Sequence, residues 1–124
     1  MNHNNHPAIT LLTDLLAVAS PPGYEWRLAE IVRDKLVAMG YAPEQDGAGN
    51  VFVRFAGHNP QSPLVCIAAH MDEIGFVVTR IENDGTLRLQ RNGGLYPWKQ
   101  GEGPVEILGD HASITGVLSM GSTH

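Results

Sequence analysis

The sequence of 124 residues contains a single cysteine, Cys66, so no disulfide can form within the chain. Disulfide frameworks are typical of secreted proteins, and we therefore expect a reducing compartment, the cytoplasm. The first residues lack the charged region and apolar stretch of a signal peptide, which agrees with that expectation. Cys66 lies within an apolar run, where we expect a small core residue and not a nucleophile.

Basic residues are also scarce. Eight Lys and Arg residues against thirteen Asp and Glu residues give a formal net charge of −5, which argues against a broad phosphate-binding surface. No apolar run is long enough to span a membrane. We therefore expect neither a nucleic-acid partner nor a membrane partner. The length and the 43% hydrophobic content suit a modest globular domain with a core of its own.

Two apolar patterns with helical spacing occupy the first forty residues. Pro7 can begin the first helix, and the stretch SPPG at 20–23 ends it. The second helix follows Tyr24 and Glu25, and Gly40 is a suitable C-terminal stop. We expect both apolar stripes to face a core and to require no cofactor. Their members are Ile9, Leu12, Leu15, Leu16 and Ala19, then Leu28, Ile31, Val32, Leu36 and Met39.

A second apolar run, Leu64–Ala69, shows no alternation of polar and apolar residues. Such a run is typical of a strand that is buried on both faces in a parallel or mixed sheet of an α/β protein. His70, Asp72 and Glu73 follow directly at its carboxyl end. Because ligands and catalytic groups collect at that end of the strands in open α/β sheets, this polar cluster is the candidate functional site.

His70 and Asp72 are spaced for neighbouring roles, since alternate residues of an extended chain face the same way. An imidazole can bind a transition metal through one ring nitrogen. A nearby carboxylate can accept a hydrogen bond from the other nitrogen, which fixes the tautomer. A His-X-Asp triplet is also common by chance, and a surface or hydrogen-bonded histidine is the alternative interpretation. One histidine alone does not make a metal site.

The pattern changes after Glu73 and becomes that of antiparallel strands. Asp84-Gly85 between two apolar runs predicts a hairpin turn. The predicted strands are Ile74–Ile81, a returning strand from Leu87, Val105–Leu108 and Ile114–Leu118, with a loop over Asn92–Trp98. Before the change, short strands are predicted at Tyr41–Gln45 and Val51–Phe55, with a turn at Asp46–Asn50. The sequence therefore predicts an α/β region at 1–73 and an antiparallel β region at 74–124.

The α/β region has too few helices and strands to bury the strand that is predicted at Leu64–Ala69. Two helices and three strands make less than a doubly wound sheet, and a strand buried on both faces needs neighbours. Residues 1–73 do not supply those neighbours. We therefore expect a fragment of a longer protein or a chain that depends on a partner.

Six short stretches, taken together, resemble the N-terminal third of the dinuclear-metal aminopeptidases of the glutamyl-aminopeptidase and tetrahedral-aminopeptidase family. Their order and spacing cover nearly the whole chain, and any one of them alone would be a weak signal. The stretches are SPPGYE (20–25), DGAGNV (46–51), AHMDEIGF (69–76), NDG (83–85), GG (93–94) and ITGVL (114–118).

The resemblance implies an α/β catalytic domain of the phosphorylase/hydrolase-like aminopeptidase class, interrupted by a β-barrel-like domain. It places residues 1–73 in the former and 74–124 in the latter, and it implies homo-oligomers, from dimers to dodecamers, built through the β domain. It assigns His70 as a metal ligand and Asp72 as the carboxylate that orients it. Two divalent ions, zinc or cobalt, would activate the water that hydrolyses peptide substrates. The remaining ligands and the general-base glutamate would follow residue 124, so the chain alone is expected to be inactive.

The last residues depart from the more usual family ending, in which paired prolines precede a histidine. They look closer to members associated with the synthesis of a peptide-like osmoprotectant. His124 is either a polar loop residue or a residue that assists the edge of the active site. A rival interpretation of the whole chain is a non-catalytic β-module protein that binds a partner, or assembles with itself, through exposed strand edges.

Overall fold

The computed structural model describes residues 6–59, 61–94 and 96–119. Contacts divide the chain into two compact units, Met1–Gly75 and Phe76–His124, and each is described by itself. The helices and strands, in chain order, are α1 (Pro7–Leu16), α2 (Trp26–Ala38), β1 (Glu44–Gln45), β2 (Val51–Phe52), β3 (Gly75–Ile81), β4 (Leu87–Asn92), α3 (Pro97–Gln100), β5 (Gly103–Leu108) and β6 (Ser113–Leu118). Assignment of the two parts to a catalytic domain and a β-barrel-like domain stays a prediction.

The two predicted helices are confirmed, and single residues set their ends. Pro7 occupies the first turn of α1, where its missing N–H costs nothing, and His6 Nδ1 accepts a hydrogen bond from the Ala8 amide at 3.2 Å. Gly40 follows α2 with φ +88°, a left-handed conformation that favours glycine. An ion pair of 2.9 Å between Lys35 and Asp14 joins the two helices on their exposed sides.

The core of the described residues is small. Leu28 and Ala29 are its buried apolar residues, and Ser20 is its buried polar residue. The expectation that both helical stripes face a core holds only in part: of the ten stripe residues one, Leu28, is buried, five are half-buried and four are exposed, with Leu16 at 74%. An apolar helix face is buried only where a second layer packs against it, and the described residues leave these faces partly uncovered.

The prediction of a buried strand at Leu64–Ala69 was also wrong for this structure. No strand forms there within the described residues, and the side chains of Leu64 and Ile67 are 94% and 97% exposed. Cys66, expected in the core, is exposed as well. A strand needs a neighbour for its backbone hydrogen bonds, and no described segment pairs with this one. The segment has the apolar composition of a buried strand, but none of the described segments pairs with it.

A short antiparallel hairpin completes the first unit. β1 pairs with β2, and both strands are shorter than predicted. The Asp46 carboxylate organises the turn between them: its oxygens accept hydrogen bonds from the amides of Ala48 and Asn50 at 3.0 and 2.9 Å, and from the Asn50 side chain at 2.8 Å. The predicted turn at Asp46–Asn50 is thereby confirmed, and its cause is an acidic side chain that satisfies the loop amides.

The second unit contains two antiparallel hairpins. β3 and β4 pair around the predicted turn, where Asp84 accepts a hydrogen bond from the Thr86 amide at 2.9 Å and Gly85 has φ +84°. β5 pairs with β6 from Gly103↔Leu118 to Leu108↔Ser113. The loop predicted at Asn92–Trp98 gives way at its end to α3, one helical turn that begins with a proline at a position where proline is favoured.

The described part of the chain thus combines helices with small antiparallel sheets, a mixed α/β composition. None of its helices is long and apolar enough to cross a membrane. The parallel-type sheet that the sequence predicted does not appear among the described strands, all of which pair in two-stranded sheets.

Candidate metal centre

His70 and Asp72, the two predicted site residues, are brought together in the first unit. His70 Nδ1 lies 2.9 Å from the backbone carbonyl oxygen of Asp72 and 3.1 Å from its carboxylate Oδ1. A carbonyl and an ionised carboxylate can only accept hydrogen bonds, so Nδ1 carries the proton and donates to both. In the neutral ring, Nε2 then keeps its lone pair. The His70 side chain is 83% exposed, which leaves Nε2 accessible to a ligand.

The donor chemistry of this pair fits a metal ligand. Metal-binding histidines typically donate their other ring N–H to a carboxylate or to a backbone carbonyl, and here both acceptors come from one residue. A neutral imidazole with a free Nε2 suits zinc and neighbouring transition metals. Among the residues that the structure describes, no group of three His, Cys, Asp or Glu side chains could hold a metal ion. His70 therefore supplies one candidate metal ligand and not a complete metal site. His124 lies outside the described residues.

Glu73 ties this stretch to the loop between α1 and α2. The Ser20 amide donates to Glu73 Oε1 at 2.9 Å, and the Glu73 amide donates to the Ser20 carbonyl at 2.9 Å. Ser20 is only 2% exposed, and its Oγ has no hydrogen-bond partner within the described ranges. The connection bridges 53 residues of sequence. It was missed at the level of sequence, where nothing in either stretch identifies the other as its partner.

The loop that carries Ser20 is itself held by short-range bonds. The Tyr24 amide donates to the Pro21 carbonyl at 2.8 Å, and the Gly23 amide donates to Glu25 Oε1 at 2.8 Å. Gly23 has φ +89°, a conformation that glycine adopts without strain. Prolines and glycine therefore set the shape of the loop locally, while Glu73 fixes its start.

Comparisons with known proteins agree with the resemblance drawn from the motifs. The sequence profile of the M42 glutamyl aminopeptidase family matches residues 49–124. The chain is 38% identical over 89 residues to the glutamyl aminopeptidase of Lactococcus lactis subsp. cremoris, which is 72% of this chain and 24% of that protein. It is 35% identical over 88 residues to the lysyl aminopeptidase of Pyrococcus furiosus, which is 70% of this chain and 25% of that protein.

A more distant similarity is to a protein that is named for a different activity. The chain is 29% identical over 118 residues to the succinyl-diaminopimelate desuccinylase of Nitrosospira multiformis, which is 94% of this chain and 30% of that protein. The chain thus spans about a quarter to a third of the length of these curated relatives. Because the family match covers more than half of the sequence and includes the His70 cluster, the chain belongs to the M42 glutamyl aminopeptidase family, a family of metal-dependent peptidases.

Proposed function

We propose that this chain forms the N-terminal part of a metal-dependent aminopeptidase that removes N-terminal residues from peptides. The observation that carries the proposal is the His70–Asp72 pair, in which Nδ1 is bonded twice and Nε2 is left open. The family match and the aminopeptidase names of two relatives support it. We refer below to the longer protein that would contain this chain as the complete protein.

In this proposal each residue of the pair has one task. His70 contributes Nε2 as a ligand to one of two divalent ions, zinc or cobalt. Asp72 keeps the proton on Nδ1 and holds the plane of the ring through its carbonyl and its carboxylate. Such ions, when bound, supply a Lewis acid for the scissile carbonyl and an activated water. The other ligands and the general base belong to the part of the complete protein that follows residue 124.

The exposed apolar segment supports a larger protein around this chain. Leu64, Val65 and Ile67 are each more than four-fifths exposed, and contiguous exposed apolar surface usually meets another surface. We propose that further chain covers this segment. The region from residue 74 would serve as the β-barrel-like domain through which copies assemble, from dimers to dodecamers. The cytoplasm is the proposed compartment, with no nucleic-acid or membrane partner.

The direct test replaces His70 by Ala in the complete protein, with His58→Ala as the matched control. His58 is also an exposed histidine, and it lies in a separate loop. His70→Ala should lose one metal ion per subunit by elemental analysis, and hydrolysis of aminoacyl-p-nitroanilides should collapse. His58→Ala should keep both. A full metal complement in purified His70→Ala would refute the ligand assignment.

The choice of substrate separates the competing activities. Aminoacyl-p-nitroanilides test the aminopeptidase, and N-succinyl-diaminopimelate tests the activity for which the more distant relative is named. The 124-residue chain by itself should hydrolyse neither, because His70 is one ligand where a dinuclear site needs several. If the complete protein also binds no metal and hydrolyses neither substrate, the rival function, a self-assembling or partner-binding β module, replaces this proposal.

A further inference from the structure

The peptide group between Asp72 and Glu73 has hydrogen-bond partners at both of its ends. Its N–H, from Glu73, donates to the Ser20 carbonyl at 2.9 Å. Its C=O, from Asp72, accepts from His70 Nδ1 at 2.9 Å. The peptide group is planar, so the direction of the N–H fixes the direction of the C=O. The position of Ser20 therefore governs the orientation of the carbonyl that holds the His70 ring.

The Glu73 side chain makes this arrangement rigid. Its Oε1 accepts a hydrogen bond from the Ser20 amide at 2.9 Å, so both backbone groups of Ser20 are bonded to one residue. Hydrogen bonds to a charged acceptor are stronger than those between neutral groups. Ser20 is 2% exposed, which shields its backbone bonds from competition with water. Ser20 and Glu73 are therefore joined by two hydrogen bonds, and Glu73 directly follows Asp72.

We propose that Glu73 is a positioning residue for the metal site. Its carboxylate fixes Ser20, Ser20 fixes the Asp72–Glu73 peptide, and that peptide holds the His70 ring with Nε2 open. The contact that the structure shows for the Glu73 carboxylate is the hydrogen bond accepted from the Ser20 amide, so the role assigned here is one of orientation. The inference rests on the proposed function, because it concerns the site that His70 would serve.

The test compares Glu73→Ala with Glu73→Gln in the complete protein. The dissociation constant of zinc, measured by competition with a chelator, is the main readout, and kcat and KM are measured beside it. Glu73→Ala removes the acceptor for the Ser20 amide and should weaken zinc binding about 10–100-fold, as the loss of groups that orient metal ligands does. Glu73→Gln keeps an amide oxygen at that place and should restore most of the affinity.

Glu25→Ala is the matched control. It removes another hydrogen bond that a carboxylate accepts from a backbone amide of the same loop, the 2.8 Å bond donated by the Gly23 amide to Glu25 Oε1, and Gly23 is not joined to residues 72 and 73 by this bond. Zinc affinity should stay at the wild-type value in this variant. If Glu25→Ala weakens zinc as much as Glu73→Ala does, the effect is general loosening of the loop, and the inference is overturned.

Two further outcomes would also overturn it. If Glu73→Ala binds zinc with wild-type affinity, Glu73 does not position the metal site. If Glu73→Gln binds zinc as weakly as Glu73→Ala does, the charge of the side chain matters and not its hydrogen bond. If the alanine variant does not fold, Glu73→Met repeats the comparison with a side chain that keeps the stem and lacks the acceptor. His70→Ala keeps the two proposals distinguishable: its loss of metal supports the function even where Glu73 fails.

Discussion

Gly75 lies so close to Pro21 that a Cβ atom at residue 75 would stand 2.8 Å from the Cβ of Pro21. Real Cβ atoms essentially never approach so closely, and Pro21 belongs to the loop that Glu73 holds at Ser20. The Gly75 backbone therefore meets the Pro21 ring at a place that admits only glycine unless something shifts. This close approach brings Gly75, the last residue of the first unit, against the loop that Glu73 holds.

We predict that Gly75→Ala destabilises the first unit. A methyl group inserted into a packed contact with a rigid proline ring should cost about 1–3 kcal/mol. Thermal or urea unfolding measures the cost. Gly47→Ala is the control, because a Cβ there meets nothing within 4 Å and its φ is not in the left-handed region. Equal stability of the two variants would contradict the close approach.

Asp72→Asn should weaken the site only moderately. His70 Nδ1 has its shorter contact, 2.9 Å, with the Asp72 carbonyl, and this substitution leaves that carbonyl in place. The expected loss in metal affinity of the complete protein is therefore near the lower end of the usual range, about 10-fold. Excess metal should rescue Asp72→Asn more readily than His70→Ala. Equal losses in the two variants, by chelator competition, would contradict this order.

The helix ends and the hairpin turn could be predicted from the sequence because single residues determine them. The missing N–H of Pro7 marks the start of α1, and the left-handed φ of Gly40 marks the end of α2. Asp84-Gly85 marks the β3–β4 turn in the same way. At the site, the His-X-Asp spacing predicted that the two side chains would meet, and the structure brings them within 3.1 Å. Their roles stay predictions.

The burial of side chains and the hydrogen bonds between distant residues could not be predicted from the sequence. Leu64–Ala69 has the composition of a central strand, but burial depends on neighbours, and no described segment pairs with this one. The Ser20–Glu73 hydrogen bonds join residues that are 53 positions apart. They use backbone amide and carbonyl groups of Ser20, which almost every residue has, so the sequence does not identify the partners. Nor could spacing show that the Asp72 carbonyl lies closer to the ring than the carboxylate does.

The Asp46 turn should make the stability of the β1–β2 hairpin depend on pH. Hydrogen bonds from the side chain and the backbone of Asn50 hold the pKa of Asp46 below its ordinary value. The unfolded chain then binds more protons, so this contribution is fully present above the unfolded pKa and is lost as the pH falls through the lower, folded pKa. An NMR titration of the Asp46 carboxyl measures the midpoint. Asn50→Ala should raise it, and an unchanged midpoint would contradict the assigned cause.

Leu64→Ala combined with Ile67→Ala should reduce self-association of the 124-residue chain. These side chains are 94% and 97% exposed on a segment that pairs with none of the described strands, and such segments associate with other chains. Light scattering measures the mass. Leu16→Ala, at an exposed position of α1, is the control and should change the mass less. A sharp monomer with cooperative melting in the unmodified chain would contradict the prediction.

The same double variant should act in the opposite direction in the complete protein. If further chain covers Leu64 and Ile67 there, each replacement by alanine leaves a cavity and should cost about 2–5 kcal/mol of unfolding free energy. The melting temperature should therefore fall, while Leu16→Ala reports whether α1 is covered in the same way. Unchanged stability of the double variant in the complete protein would show that the segment remains exposed, and it would remove the main structural argument for a larger protein around this chain.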